Sequence, residues 1–289
     1  NLIKFQTSIP ELHISRFAIK AKYQVEKKKK LESQLDMAKR FHLTYENFKK
    51  IKKYCVRKNI DFLSTPFDLK SIDFLKTLKM KYLKIPSGEI TNLPYLKKVA
   101  KLKKKVIIST GMANIKEIEN ALKILTSNGT RKKNITVMHC NSAYPTPLKD
   151  ANLKAILTIQ KKFNINIGYS DHTEGIEASL AAVALGAKII EKHFTFNKNL
   201  SGPDHKASIT PKELKNLTEG IHKISAALGD GIKKVTQSER KNIKYARNSL
   251  VAADFIRKGE KFTENNLLTK RPGYGISPMK LFDVIGKIA

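Results

Sequence analysis

Between residues 2 and 228 a short β-rich segment alternates seven times with a stretch of helical spacing, and this alternation limits the architecture more than any other feature. The segments Leu2–Gln6, Asp61–Thr65, Tyr82–Ile85, Val106–Ser109, Thr136–Cys140, Ile165–Tyr169 and Lys188–His193 read as strands. Helical spacing fits Tyr45–Lys58, Leu69–Leu78, Leu93–Lys101, Ile115–Thr126, Asn152–Phe163, Ile176–Leu185 and Pro211–Leu228. Thr44-Tyr45-Glu46-Asn47 and Thr210-Pro211-Lys212-Glu213 supply polar caps for two helix starts, and Pro211 suits the first helical turn. Strands alternating with helices of this length imply a parallel sheet covered by helices. A closed (β/α)8 TIM barrel needs eight strands, so the seven predict a barrel over residues 1–231 with its first βα unit missing from this chain, which opens on Asn1 and not methionine. The open doubly wound form tolerates seven strands, but no glycine-rich nucleotide-binding turn supports it.

The pattern changes after Gly229-Asp230-Gly231. Residues 232–246 are polar and basic, as a linker would be, and residues 247–289 carry short strands and frequent turns. A small β-rich domain of that size lies near the lower limit for independent stability and is expected to lean on another domain or subunit.

Among 289 residues the formal net charge is +31, carried by 48 lysines and only 8 arginines. The lysines are scattered over nearly every helix, with short runs at Lys27–Lys30 and Lys103–Lys105. Nucleic-acid readers concentrate charge, use arginine for bidentate contacts and interleave aromatics, so no specific nucleic-acid partner is expected. The charge reads as solvated helix faces that can steer small anions. No apolar run approaches membrane-spanning length and no signal peptide is evident, which predicts no membrane association and a cytoplasmic location. Cys55 and Cys140 lie in different elements and read as reduced, buried thiols.

Chemistry is concentrated where strands end. Gly168-Tyr169-Ser170-Asp171-His172-Thr173 is followed by Glu191-Lys192-His193-Phe194-Thr195, with a small-residue helix between. A strand–helix–strand unit brings neighbouring parallel strands to one edge, so His172 and His193 are expected to share a divalent ion. Two imidazoles leave open coordination positions, as catalysis requires. Polar groups also close the other strands: Lys4, Thr65, Lys84 with Ser87 and Glu89, Ser109 with Gly111, Ser142 with Tyr144, and Ser170. Hydroxyls, backbone amides and lysines converging on one rim suit a phosphate or carboxylate. Any one serine taken alone reads better as a helix cap.

Six stretches, Lys-Ile-Pro-Ser-Gly-Glu-Ile-Thr-Asn, Ser-Thr-Gly-Met-Ala, Ser-Ala-Tyr-Pro-Thr-Pro, Gly-Tyr-Ser-Asp-His-Thr, Glu-Lys-His-Phe-Thr and Gly-Pro-Asp-His-Lys-Ala-Ser, resemble the bacterial sialic acid synthase family, in the family's order. The tail, with Lys-Arg-Pro-Gly-Tyr-Gly-Ile-Ser-Pro, resembles that family's antifreeze-like SAF domain. The resemblance implies a transferase that condenses phosphoenolpyruvate with an open-chain N-acetylated hexosamine and water, releasing phosphate and a nonulosonic (sialic) acid. It favours N-acetylmannosamine by a small margin over the diacetamido hexoses that lead to N,N'-diacetyllegionaminate or pseudaminate. It implies that His172 and His193 hold manganese, with magnesium or cobalt compatible. Lys84, Ser87, Thr65, Ser109, Ser142 and Ser170 would surround phosphoenolpyruvate, with Lys4 near its carboxylate. Glu89 and Asp204 would bind sugar hydroxyls or handle protons, Tyr144 would line the sugar site, and Arg271 would reach the N-acetyl group across a domain-swapped homodimer. His139 and His205 are expected to be structural, and His13, His42 and His222 solvated. The family's opening strand, with its Glu-Ile-Gly and Asn-His pattern, is absent from this chain and the tail is short, so residues 1–289 alone are expected to fold poorly or lack activity. The remote alternatives are a lysine-rich polyanion binder or a non-catalytic barrel.

Overall fold

The seven β-rich segments are strands, and all run parallel in a computed structural model that describes residues 2–25, 32–202 and 204–289. The run Lys27–Lys30 and Pro203 of the Gly-Pro-Asp-His stretch lie outside the described residues. The chain divides into two units, Asn1–Leu228 and Gly229–Ala289.

In the first unit the order is β1 (Leu2–Thr7), α1 (Pro10–His13), α2 (Gln34–Phe41), α3 (Tyr45–Arg57), β2 (Asp61–Pro66), α4 (Leu69–Thr77), β3 (Tyr82–Ile85) and α5 (Leu93–Lys101). Then follow β4 (Lys105–Ser109), α6 (Ile115–Ser127), β5 (Ile135–Cys140), α7 (Ala155–Phe163), β6 (Asn166–Asp171), α8 (Glu177–Ala184), β7 (Ile190–Lys192) and α9 (Pro211–Leu228). Polar caps start several helices: Asp68 accepts the Ser71 amide at 2.8 Å, and Asn114 with Glu117 forms a reciprocal box. The expected start at Thr210 is a box of the same kind, with Glu213 bonded to the Thr210 amide at 2.8 Å. Helix α2 was not anticipated, because most of its eight residues are polar or exposed.

β1 pairs with β2, and β3 through β7 form a five-stranded ladder in sequence order. Leu83, Ile85, Val106, Ile108, Val137 and Ile167 point outward into a core shared with Ile72, Leu75, Leu96 and Leu125 of the helices. Burying each such side chain contributes about 1.5–3 kcal/mol. Side chains alternate across a strand, so the intervening positions face the concave side. There Ile107 and Met138 are joined by polar residues: Lys4, Thr65, Lys84, Ser109 and Ser170. Lys4 of β1 lies 3.4 Å from Glu191 of β7, and Lys84 of β3 lies 3.7 Å from the same carboxylate. Contacts between the first and last strands require the sheet to curl, so the unit is α/β with a curled parallel sheet. Among the described residues no helix is long and apolar enough to cross a membrane.

The second unit holds α10 (Gln237–Ala246), β8 (Ser249–Ala252), β9 (Leu267–Lys270) and α11 (Leu281–Val284). β8 and β9 are antiparallel. Residues 232–246, expected as a linker, thus contain a helix; Thr236 and Glu239 cap its start with a 3.0 Å bond to the Thr236 amide.

Candidate active site

Parallel strands of this kind carry polar groups outward at their C-terminal ends, and here those ends meet over the concave face. At its centre is Glu191. Ser170 donates to its carboxylate at 3.0 Å, and Lys4 and Lys84 flank it. Burial pushes the Glu191 carboxyl up, but the two ammonium groups, the Ser170 hydroxyl and His193 outweigh that and hold it at about 2. Lys84 is pushed below the ordinary lysine range because its burial outweighs the attraction of Glu191. Both partners of the pair are thus lowered. Two cations facing one carboxylate settle it as an ionised cluster with positive charge in excess, and that excess suits an incoming polyanion. Lys84 also donates to the Ser109 hydroxyl.

Two further observations bear on what could bind on this face. The Thr65 hydroxyl is buried with no hydrogen-bond partner. The Gly111 amide donates to Ser87 Oγ at 3.0 Å, and a Cβ at Gly111 would collide with Ser142 Oγ. Ser87, Gly111 and Ser142 therefore form one rim, where the missing Cβ of glycine leaves room for the two serine hydroxyls. Glu89 follows on the same 3-10 turn, and its carboxylate accepts the Asn92 side-chain amide at 2.5 Å.

His172 and His193 lie side by side, with ring centroids 5.2 Å apart and planes at 73°. His172 Nδ1 is 2.6 Å from the Asn141 carbonyl, which can only accept, so Nδ1 carries the proton and Nε2 the lone pair. Burial keeps this imidazole neutral down to about 4. His193 Nδ1 lies 3.3 Å from Asp204 Oδ2, which fixes the same tautomer. A carboxylate or carbonyl behind each ring is the outer arrangement that metal-binding histidines require. The donor set fits a divalent ion held by the two Nε2 atoms, although no group of three or more His, Cys, Asp or Glu is clustered for one among the described residues. Tyr144 packs on His172 with centroids 4.0 Å apart, and Tyr23 stacks on Tyr144 at 4.9 Å. Burial, then the charge of Asp204, raises the Tyr23 phenol to about 12.

The structure thus gathers Lys4, Thr65, Lys84, Ser109 and Ser170 on the concave face, Ser87 with Ser142 on a rim, and His172, His193, Asp204 and Tyr144 in one cluster. Arg271 is exposed in the second unit. Glu191, Tyr23 and Cys140 carried no expectation as site residues. Cys140 Sγ lies 3.8 Å from His172 Nδ1. Glu191 had a readable signal: it stands two residues before His193, as Ser170 stands two before His172, so both share their histidine's face. Tyr23 had none. His139 bonds the Ala151 carbonyl at 2.8 Å and His205 bonds Thr195 at 2.8 Å.

A protein-family comparison matches residues 1–233 to the NeuB family. The N,N'-diacetyllegionaminic acid synthase of Campylobacter jejuni is 54% identical over 289 residues, covering 100% of this chain and 86% of the relative. The N,N'-diacetyllegionaminic acid synthase of Legionella pneumophila is 39% identical over 286 residues, covering 98% of this chain and 80% of the relative. A crystal structure of the N-acetylneuraminic acid (sialic acid) synthetase of Leptospira borgpetersenii superposes with a TM-score of 0.73 at 37% identity, covering 84% of this chain and 79% of that one.

Proposed function

The chain belongs to the NeuB family, and from that premise we propose that it condenses phosphoenolpyruvate with an open-chain 2,4-diacetamido hexose to give N,N'-diacetyllegionaminate and phosphate. A carbon–carbon bond forms between the enol carbon and the sugar aldehyde, water adds, and phosphate leaves. The observation that carries this reading is the juxtaposition of the positively charged, hydroxyl-bearing concave face with the His172–His193 pair. N-acetylmannosamine, which the sequence favoured, gives way to the diacetamido sugar because the two most similar relatives reported above are legionaminic acid synthases. The likeness to the Leptospira synthetase keeps N-acetylneuraminate as the second reading.

Lys84, with Ser87, Ser109, Ser142, Thr65 and the Gly111 amide, would bind the phosphate, and Lys4 with Ser170 the carboxylate. Binding an anion there returns a partner to the orphaned Thr65 hydroxyl and a counter-charge to Lys84. Tyr144 and Asp204 would orient the sugar, with Glu89 at its hydroxyls, and Asp204 is placed to hold a proton at His193 Nδ1 or on the substrate. When bound, a manganese ion would act as a Lewis acid on the aldehyde oxygen. Holding both reactants on one rim replaces a chance encounter by an oriented one.

In this reading the first unit supplies seven strands of a (β/α)8 synthase barrel and the second is the antifreeze-like SAF domain, whose Arg271 reaches a partner subunit's sugar in a cytoplasmic homodimer. A phosphate-release assay with mass spectrometry of the product tests the chemistry. The 2,4-diacetamido sugar should react with a kcat/KM at least tenfold above that of N-acetylmannosamine. A preference for N-acetylmannosamine would install the second reading, and no phosphate release from either sugar would reject both.

A further inference from the structure

Behind the imidazoles, on the opposite face of the same two strands, lies an ion pair that the catalytic reading does not use. Register pairs Ser170 with Glu191 and Asp171 with Lys192. The first pair bonds on the concave side at 3.0 Å, and the second bonds on the helix side at 2.9 Å. His172 and His193 are the next step of the same alternation. Asp171 is fully buried and the Lys192 side chain is 3% exposed. Asp171 also accepts the Thr173 amide and hydroxyl at 2.8 Å and the Ser179 hydroxyl of α8 at 2.6 Å, and Lys192 donates to the Thr173 carbonyl at 2.6 Å. The carboxylate thus accepts four hydrogen bonds and the buried ammonium donates two, all within the protein.

β7 is only three residues long; the Tyr169 amide bonds the Ile189 carbonyl at 2.9 Å just before it, and the Ile209 amide bonds the His193 carbonyl at 2.8 Å just after it, so the backbone ties the segment at its two ends and the ion pair ties it between them. A one-residue slip would turn every side chain of β7 to the other face. We propose that the buried Asp171–Lys192 pair is a positioning device, which locks the register of the β6 and β7 tips and thereby sets the separation of His172 and His193. A buried ion pair is weak evidence for stability, because desolvating both charges offsets most of their attraction; specifying one arrangement is the role that remains. The inference rests on the proposed reading only in taking the imidazoles as the metal-holding pair.

The test compares Lys192→Met, Lys192→Arg and the neutral double variant Asp171→Asn/Lys192→Met with the native protein. Manganese is titrated calorimetrically into metal-free protein, and kcat and KM are measured for phosphoenolpyruvate. Losing a group bonded directly to a metal-binding histidine costs roughly 10- to 100-fold in metal affinity, and that range is the ceiling for a pair that acts through the backbone. Lys192→Met should show a loss of affinity up to that ceiling with a matching fall in kcat and little change in KM, and Lys192→Arg should restore both. A folded Lys192→Met protein with native manganese affinity and kcat overturns the proposal. Where Lys192→Met fails to fold, the double variant decides in the same way: weakened manganese binding supports positioning and native binding overturns it. Native protein that binds no manganese counts against the metal reading and not against this one. The imidazole proton–carbon resonances of His172 and His193 then decide: displaced in Lys192→Met and restored in Lys192→Arg, or unmoved and contradictory.

Discussion

At Glu191 the buried Lys84 ammonium and the half-buried Lys4 ammonium meet one carboxylate that stays ionised to about pH 2. A carboxylate whose folded pKa is depressed contributes stability above its unfolded value, near 4.5, and loses it as the pH falls toward 2. Glu191→Gln should therefore cost about 3 kcal/mol at pH 7 by leaving Lys84 unpaired, and its deficit against native protein should shrink below pH 4.5. Denaturant unfolding at pH 7 and at pH 3 checks both; an equal deficit at the two values contradicts the assignment. His172 works in the same direction, because an imidazole held neutral to about 4 lowers stability as the pH falls from 6.5 toward 4. Tyr23 stacks over Tyr144, and such pairs contribute about 0.5–1.5 kcal/mol beyond buried area. Tyr23→Ala should raise the KM of the sugar about three- to tenfold in steady-state assays with the KM of phosphoenolpyruvate unchanged; an effect on phosphoenolpyruvate alone would place Tyr23 elsewhere in the reaction. The sequence exposed His172, His193 and Lys84 because each ends a strand with period-2 spacing. Tyr23 was hidden because it lies on a short 3-10 turn, where no periodicity shows which way a ring points.

β7 approaches β6 so closely that a Cβ on Gly168 would stand 2.8 Å from the Ile189 carbonyl and 3.2 Å from Met138 Cγ. Since the nearest atom is backbone, Gly168→Ala should displace β7, lower stability by roughly 1–3 kcal/mol and weaken activity. Gly88→Ala, with nothing within 4 Å of the added carbon, is the neutral control. Thermal melting of both variants checks this, and equal melting temperatures would refute the close approach. The seven strands were legible because their outward faces are mostly apolar, as sheets buried under helices require, with Asp171 and Lys192 an exception. Helix α10 was not, since its ten residues include no buried side chain and so show no apolar stripe. Its Thr236–Glu239 capping box was the readable signal.

Across the whole chain the net charge is +31, and the substrate proposed above is a small anion. Exposed charges act over about 10 Å at 0.1 M salt, so steering should fade as salt rises. kcat/KM for phosphoenolpyruvate should fall several-fold between about 0.02 M and 0.3 M salt, while the KM of the uncharged sugar stays constant; a flat profile would leave the lysines with no part in association. Steering matters only if the anion is delivered beside a shared metal ion, and that arrangement is the central claim. Pulsed electron paramagnetic resonance of the manganese-loaded protein reads it directly. The account predicts two imidazole nitrogens coupled to the ion, falling to one in His193→Ala and to one in His172→Ala. Manganese bound without nitrogen coupling, or with coupling that survives both substitutions, would contradict it.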